Sequence, residues 1–504
     1  MNKSSDDLFD LIKSMSAAEK RHFKLFGINM QFGKDSKNYL HLFDAINNQQ
    51  HYDEELLKRK LNKIIRAGHF SNAKNYLVEA LLNGLNDYYS GVSVVSQIET
   101  LIQKARILKD KTMLNMSLKF LKRAEKLAIE YDEYYHLLQI NDIKVKITVM
   151  QEEGDKDGQA LTKLLTDEQH YLQQIKQYFE YRNRVVQLKQ LESLNPADQK
   201  KYLDENFEDI FNPSLLSVPY HQLSYPSFRN YNFLHCYKAV ILKEQKKAIQ
   251  SILLSISVLE SEKSKLEERA EFYLNCLLSI LILEFKPDEK IFKKANDFYL
   301  SLSDKRRTRL VTSTFIRVLV TYSSLLNRTQ KYQQALKVIS GISENEIIQK
   351  NGFDTKLVYW NLVAVSHLML GNFKESMKFF NKIINLKTLH RLELQGKARC
   401  LSLLIHYELG NFESLPYLTK SAKSFLSKHG LYFDFEKAII SFFEKANKFA
   451  PDQSAEQLAF IRFKNELAAA KLEAGSVWLF GDFNFTNWAQ SKIQNGDLLK
   501  KKKL

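Results

Sequence analysis

Between Trp360 and Ile383 the chain repeats a helical alternation of apolar and polar positions twice, once on each side of Gly371-Asn372. Trp360, Val363, Ala364 and His367 recur at helical spacing before the turn, and Phe373, Ser376, Phe380 and Ile383 do so after it. The pattern predicts two amphipathic helices folded back on each other. Looser copies place an aromatic residue, a small one and a bulky one at Phe292, Ala295, Tyr299; at Tyr332, Ala335, Ile339; and at Phe412, Leu415, Thr419, spaced by 40, 41 and 39 residues when Phe373 is included. Gln245, Ala248 and Ile252 form a weaker, earlier copy. His367-x-x-Leu370-Gly371-Asn372-Phe373 and His406-x-x-Leu409-Gly410-Asn411-Phe412 match most closely, which makes the two histidines packing residues of a repeated unit.

The remaining pattern divides the chain. Residues 1–92 read as a cap of short helices, one of them opened by the capping-box spacing Ser16-Ala17-Ala18-Glu19 and ending near Gly27. Residues 93–195 hold longer hairpins, with an apolar stripe at Leu114, Leu121, Ala124, Leu127 and Ala128. Leu164, Leu172, Ile175, Phe179 and Val186 trace one long helix that turns Arg182 and Lys189 to solvent. The acidic, glycine-containing stretch 151–159 reads as a turn, since it lacks the distal Glu of a calcium loop. Residues 196–230 carry Pro196, Pro213, Pro219 and Pro226, which should interrupt regular helix repeatedly and mark a boundary. Residues 231–475 hold the periodic half, including helices at 433–449 and 457–472. In 476–504, Trp478, Phe483, Phe485 and Trp488 should close the end of an array before a lysine tail.

The order of residue types in the hairpin at 360–383 resembles a tetratricopeptide repeat: a Trp, a small residue four on, a bulky one, then Gly, an aromatic, a small residue, an aromatic and an aliphatic. The likeness is specific over 311–423, diffuse from 98 to the prolines and absent before residue 90. It departs from the family pattern at Ala364, His367 and Ser376, where Gly, Tyr and Ala are usual, and in its longer period. The whole looks like a large bacterial member of the tetratricopeptide-like helical class. The resemblance implies an all-α superhelical array, an α-solenoid of antiparallel helical hairpins, with a helical cap at its N-terminus. It also implies a scaffold whose concave face, lined by the first helix of each pair, holds a peptide or a partner helix.

In that family the groove positions lie fifteen, twelve and eight residues before the aromatic that opens the second helix. Counting from Tyr332, Phe373 and Phe412 gives Arg317, Val320 and Ser324; Val358, Asn361 and Val365; and Lys397, Cys400 and Leu404. Arg317 and Lys397 would then be its fixed positive charges, suited to a protein or peptide partner carrying a carboxylate. The alternative is that these residues are solvated surface, or covered by another part of the chain.

Composition narrows the rest. With 16 Gly and 7 Pro in 504 residues, most sandwiches, barrels and disordered chains are excluded. Cys236, Cys276 and Cys400 lie far apart in apolar helical patterns, which predicts buried, unreactive thiols and no disulfide or metal framework. Acids near the N-terminus do not suit a signal peptide, and no run is long and apolar enough for a membrane span, so a reducing cytoplasm is expected. A net charge of +16, spread over nearly every helix, fits a solvated basic surface. A nucleic-acid-associated regulator is the rival reading, built on Arg21, Lys24, Arg59, Lys63 and Arg66 as a helix-turn-helix reader. Catalytic motifs and cofactor-binding fingerprints are not found. Gly27 to Lys34 misses a phosphate loop by its spacing and by Asp35, and the histidines lack metal-ligand spacing, so no enzyme, cofactor or metal is expected.

Overall fold

The computed structural model describes residues 6–29, 36–151, 158–191, 194, 196–344, 347, 351–386, 391–450, 453–470 and 483–494. Among them there is no strand, and the helices pack in adjacent pairs. The chain divides into two units, residues 1–235 and 236–504.

The first unit begins with α1 (Asp6–Ser14), α2 (Ala17–Asn29), α3 (Ser36–Asn47), α4 (Glu54–Leu61) and α5 (Phe70–Tyr89), which close one core running from Leu8 to Leu85. The capping box forms in both directions: Ser16 N–H donates to Glu19 Oε2 at 2.5 Å, and Glu19 N–H donates to Ser16 Oγ at 3.2 Å. Glu19 also accepts from the Tyr89 hydroxyl at 2.6 Å, tying the start of α2 to the end of α5. A second core begins at Val94 and is built by α6 (Val94–Asp110), α7 (Leu114–Glu130), α8 (Tyr134–Met150) and α9 (Gln159–Leu191). The buried side of α9 is Tyr171, Ile175, Tyr181, Val185, Leu188 and Leu191, whereas the expected stripe residues Leu172 and Val186 are exposed. Tyrosines, amphipathic and easily counted as polar, carry the packing there.

The prolines start helices where interruption is expected. Chain segments α10 (Pro196–Ile210) and α11 (Pro213–Leu216) begin on a proline, and Pro226 sits in the first turn of α12 (Tyr225–Ile241). A proline there forfeits no helical hydrogen bond, because the first N–H groups of a helix have no partner within it. The division between the units falls at His235, inside α12.

The second unit continues with α13 (Gln245–Ser261), α14 (Ala270–Glu284), α15 (Glu289–Ser301), α16 (Arg309–Arg328), α17 (Tyr332–Ile339), α18 (Phe353–Met369), α19 (Phe373–Ile384), α20 (Leu392–Glu408) and α21 (Leu415–Lys428). It ends with α22 (Asp434–Glu444), α23 (Ala446–Phe449), α24 (Gln453–Ala469) and α25 (Phe485–Ile493). The small residues at the repeat positions, Ala248, Ala295, Ala335 and Ser376, are all fully buried. Phe412 opens a short 3-10 turn instead of the first α-turn, with Pro416 following it in α21. Phe483, Phe485 and Trp488 are buried, and the Trp488 ring packs against Phe442, Phe443, Phe460 and Tyr407; Trp478 and the lysine tail lie outside the described residues. The acidic stretch also lies largely outside them.

One turn recurs through both units. Thr112, Asp132, Lys243, Gln330, Gly371, Gly410 and Gly430 all have φ between 58° and 75°. The N–H after each reaches the carbonyl five residues back, as in Met113 to Leu108 at 2.9 Å and Asn372 to His367 at 2.8 Å. This left-handed C-cap satisfies carbonyls at the end of one helix, and at six of the seven the next helical segment starts within two residues, so the pair folds back on itself; after Gly430 the next helix starts at Asp434. A second device locks the pair: Ser117 Oγ donates to Ala105 O at 2.7 Å, and Ser376 Oγ donates to Ala364 O at the same distance. Both serines are fully buried, and a bulkier residue would hold the helices apart.

Candidate functional site

The groove positions supplied by α16, α18 and α20 are mostly closed. Val320, Asn361, Val365, Lys397, Cys400 and Leu404 are all buried, with Lys397 at 1% exposure; only Arg317 is exposed, and Ser324 and Val358 are half-buried. Lys397 and Asn361 are engaged within the fold. The expectation of an open groove over these residues is therefore corrected. Its cause is visible in the helices themselves, which bury side chains around nearly their whole circumference, as helices apolar on all sides must. Helix α20 packs on α19, α21 and α22, and Glu436 of α22 is fully buried near Cys400, where burial and then that carboxylate push the Cys400 thiol up.

The other nominated residues stay apart from any chemistry. Cys276 is buried, with its thiol pushed up to about 12 by burial, and Cys236 is half-buried with its thiol raised for the same reason. Burial lowers both His367 and His406, and His367 stacks on Phe379 at 6.5 Å. Arg21, Lys24, Arg59, Lys63 and Arg66 are exposed, but Lys24 pairs with Asp44 at 2.7 Å and Arg59 Nε donates to the Glu55 carbonyl. Helix α2 packs on α3 and α5, whereas α4 packs on α3. Gly27 is helical, so it opens no phosphate loop; Lys34 and Asp35 lie outside the described residues.

One cavity is passed over by pattern reading. In the first unit, the turn Tyr131–Glu133, the start of α8, the middle of α9 and the start of α12 enclose a cavity of about 300 Å³. Its lining includes Tyr131, Tyr134, Tyr135, Tyr178 and Tyr225, with Pro226, Ile175, Gln174 and Arg229. The turn is anchored across the unit, because Asp132, itself in the left-handed conformation, accepts the Tyr225 N–H at 2.9 Å. That bond spends one Asp132 oxygen on the first turn of α12. Glu133 is likewise engaged, with its carboxylate 3.1 Å from His136 Nδ1.

Aromatic packing fixes the walls. Tyr134 contacts Tyr171 at 6.1 Å, Tyr135 meets Phe179 edge-on at 6.1 Å, and the Arg182 guanidinium covers the Phe179 ring at 4.5 Å. Burial, then the Asp132 carboxylate, pushes the Tyr134 hydroxyl up to about 12, and burial raises Tyr135 as well. These phenols are therefore hydrogen-bond donors throughout the neutral range. Gln174 Oε1 is buried with no hydrogen-bond partner. The cavity thus offers aromatic rings and hydroxyl donors, with Arg229 exposed beside it.

This arrangement suits binding. Among the described residues, no group of three His, Cys, Asp or Glu side chains is placed to hold a metal ion. Sequence signals for the cavity do exist, in the tyrosines at 131, 134 and 135 and in Tyr225-Pro226, but the segments that meet there are some ninety residues apart. No described helix is long and apolar enough to cross a membrane. No family model matches the chain, and no curated protein and no solved structure matches it either.

Proposed function

We propose that the protein is a non-enzymatic interaction scaffold, an α-solenoid of tetratricopeptide-like hairpins that binds a protein or peptide partner. The observation that carries this reading is the left-handed turn repeated seven times with the same hydrogen bond, which makes hairpins the structural unit of the chain. Stacked hairpins present extended surfaces, and that is the use to which such arrays are suited. With the nominated groove largely closed, the tyrosine-lined cavity is the favoured contact point, since it combines concavity with aromatic side chains and an exposed guanidinium.

A nucleic-acid role is the second reading, favoured by the +16 net charge and by the exposure of Arg21, Arg59, Lys63 and Arg66. Affinity capture from native lysate, with and without nuclease digestion, separates the two. The scaffold reading expects a protein partner that survives digestion and rebinds as a purified component at near-stoichiometric ratio. Capture abolished by nuclease, together with duplex binding that persists at physiological salt and is lost when Arg21, Arg59 and Lys63 become Glu, would establish the rival.

A further inference from the structure

The cavity between the turn at Asp132, helix α9 and the start of α12 has features that select among ligands. Resting on the scaffold reading, we infer that this pocket holds a proline of an extended peptide segment, with an acidic residue of that peptide set against Arg229.

Size comes first. At about 300 Å³ the cavity sits at the lower end for ligand sites, too small for an α-helix of roughly 10 Å diameter but sufficient for one or two side chains. Shape and surface come next. Rings of Tyr134, Tyr135, Tyr178 and Tyr225 offer flat apolar faces against which a rigid pyrrolidine ring packs with little loss of conformational freedom. A polyproline II segment has no internal hydrogen bonds, so its carbonyls are free to accept from the tyrosine hydroxyls.

The main competitor for an aromatic box is an alkylated ammonium group. Asp132, bonded to Tyr225 N–H, and Glu133, beside His136, stand in the lining as engaged carboxylates, and the Arg229 cation lines the same cavity. That guanidinium, exposed and fork-shaped, instead favours a carboxylate on the ligand.

The test is calorimetric titration of the full chain with four capped peptides: one of repeated Pro-Pro-Glu units, one with Ala for every Pro, one with Lys for every Glu, and one carrying trimethyl-lysine in an alanine background. Saturable binding of the first is expected, weakened at least tenfold by either replacement. Arg229→Glu, at an exposed position, should reverse the preference between the Glu and Lys peptides; Tyr178→Ala should abolish binding of both, with circular dichroism confirming that the variants fold. Preferential binding of the trimethyl-lysine peptide, equal binding of the alanine peptide, or no saturable binding overturns the proposal. If these peptides fail while a nuclease-resistant protein partner is still captured, the scaffold reading stands and only this ligand assignment falls.

Discussion

Helices α6 and α18 are each 17 residues long, and each opens a hairpin closed by a left-handed turn and locked by a buried serine. Their surroundings differ. Helix α6 buries Val94, Ile98, Ile102 and Ala105, a single stripe, whereas α18 buries residues on every side. Aligning Ser117 with Ser376 sets Arg106 against Val365; Arg106 is exposed and reaches Gln139, while Val365 is fully buried. Hairpin geometry is thus a local property shared by the two units, and burial of its outer face is imposed by what packs over it.

The sharpest way to break the comparison is to exchange the paired residues. Val365→Arg should cost at least about 3 kcal/mol by denaturant titration, because the charge has no partner in a packed interior, while Arg106→Val should stay within about 0.5 kcal/mol. An equal effect at both sites would mean that α18 is open in solution. Lys397→Glu, at a buried and engaged side chain, belongs with Val365→Arg, whereas Arg317→Glu should leave the melting temperature nearly unchanged.

Next in size is Phe380→Ala, at a fully buried ring in α19, with an expected loss of about 3 to 5 kcal/mol. Hydrogen exchange followed by mass spectrometry should show lost protection within residues 236–504 and unchanged protection in the core around Ile98 and Leu121. Loss spread evenly over the chain would contradict the modular reading.

Much of this architecture is legible in the sequence, and the reasons for the exceptions are physical. The hairpin at 360–383 is readable because Gly371 advertises its turn. Thr112, Asp132, Lys243 and Gln330 adopt the same conformation with side chains that give no such notice, so four of the seven turns are hidden. Residues of the nominated groove could be counted from Phe373, but the count identifies positions, not what covers them. LELQGKARC in α20, with four polar or charged residues, reads as surface, and only the packing of its neighbours shows Lys397 buried. The tyrosine cavity joins segments distant in the chain, and no local pattern encodes that meeting.

The turns provide a third test. Thr112→Gly and Gln330→Gly should each stabilise by up to about 1 kcal/mol, since a side chain in the left-handed region costs about 1 to 2 kcal/mol and glycine returns part of that as chain entropy. Gly371→Ala should destabilise by a similar amount, and a shift of opposite sign in either direction would show that these turns are not equivalent.

The smallest effect concerns pH, and it differs in sign between the units. In the first, Glu133 raises His136 above its usual 6.5, so its contribution is fully present below 6.5 and is lost as pH rises through the higher folded value. In the second, burial lowers His367 and His406, so their contribution is present above 6.5 and is lost as pH falls through the lower folded values. Exchange protection measured from about pH 5 to 8 should therefore shift in favour of the second unit as pH rises. His136→Gln should remove the trend from the first unit alone.

Glu408 has a consequence for biosynthesis. Its side chain is only 2% exposed, and its carboxylate accepts from Trp488 Nε1 at 2.6 Å and from Lys492 Nζ at 2.9 Å. Those donors lie 80 and 84 residues further along the chain. At about 5 to 20 residues per second, the ribosome delivers them roughly 4 to 17 s after the acid itself. During that interval α20 cannot bury Glu408 without stranding a charge, so the nascent end of the second unit must stay open to water, and within reach of chaperones, until α25 arrives.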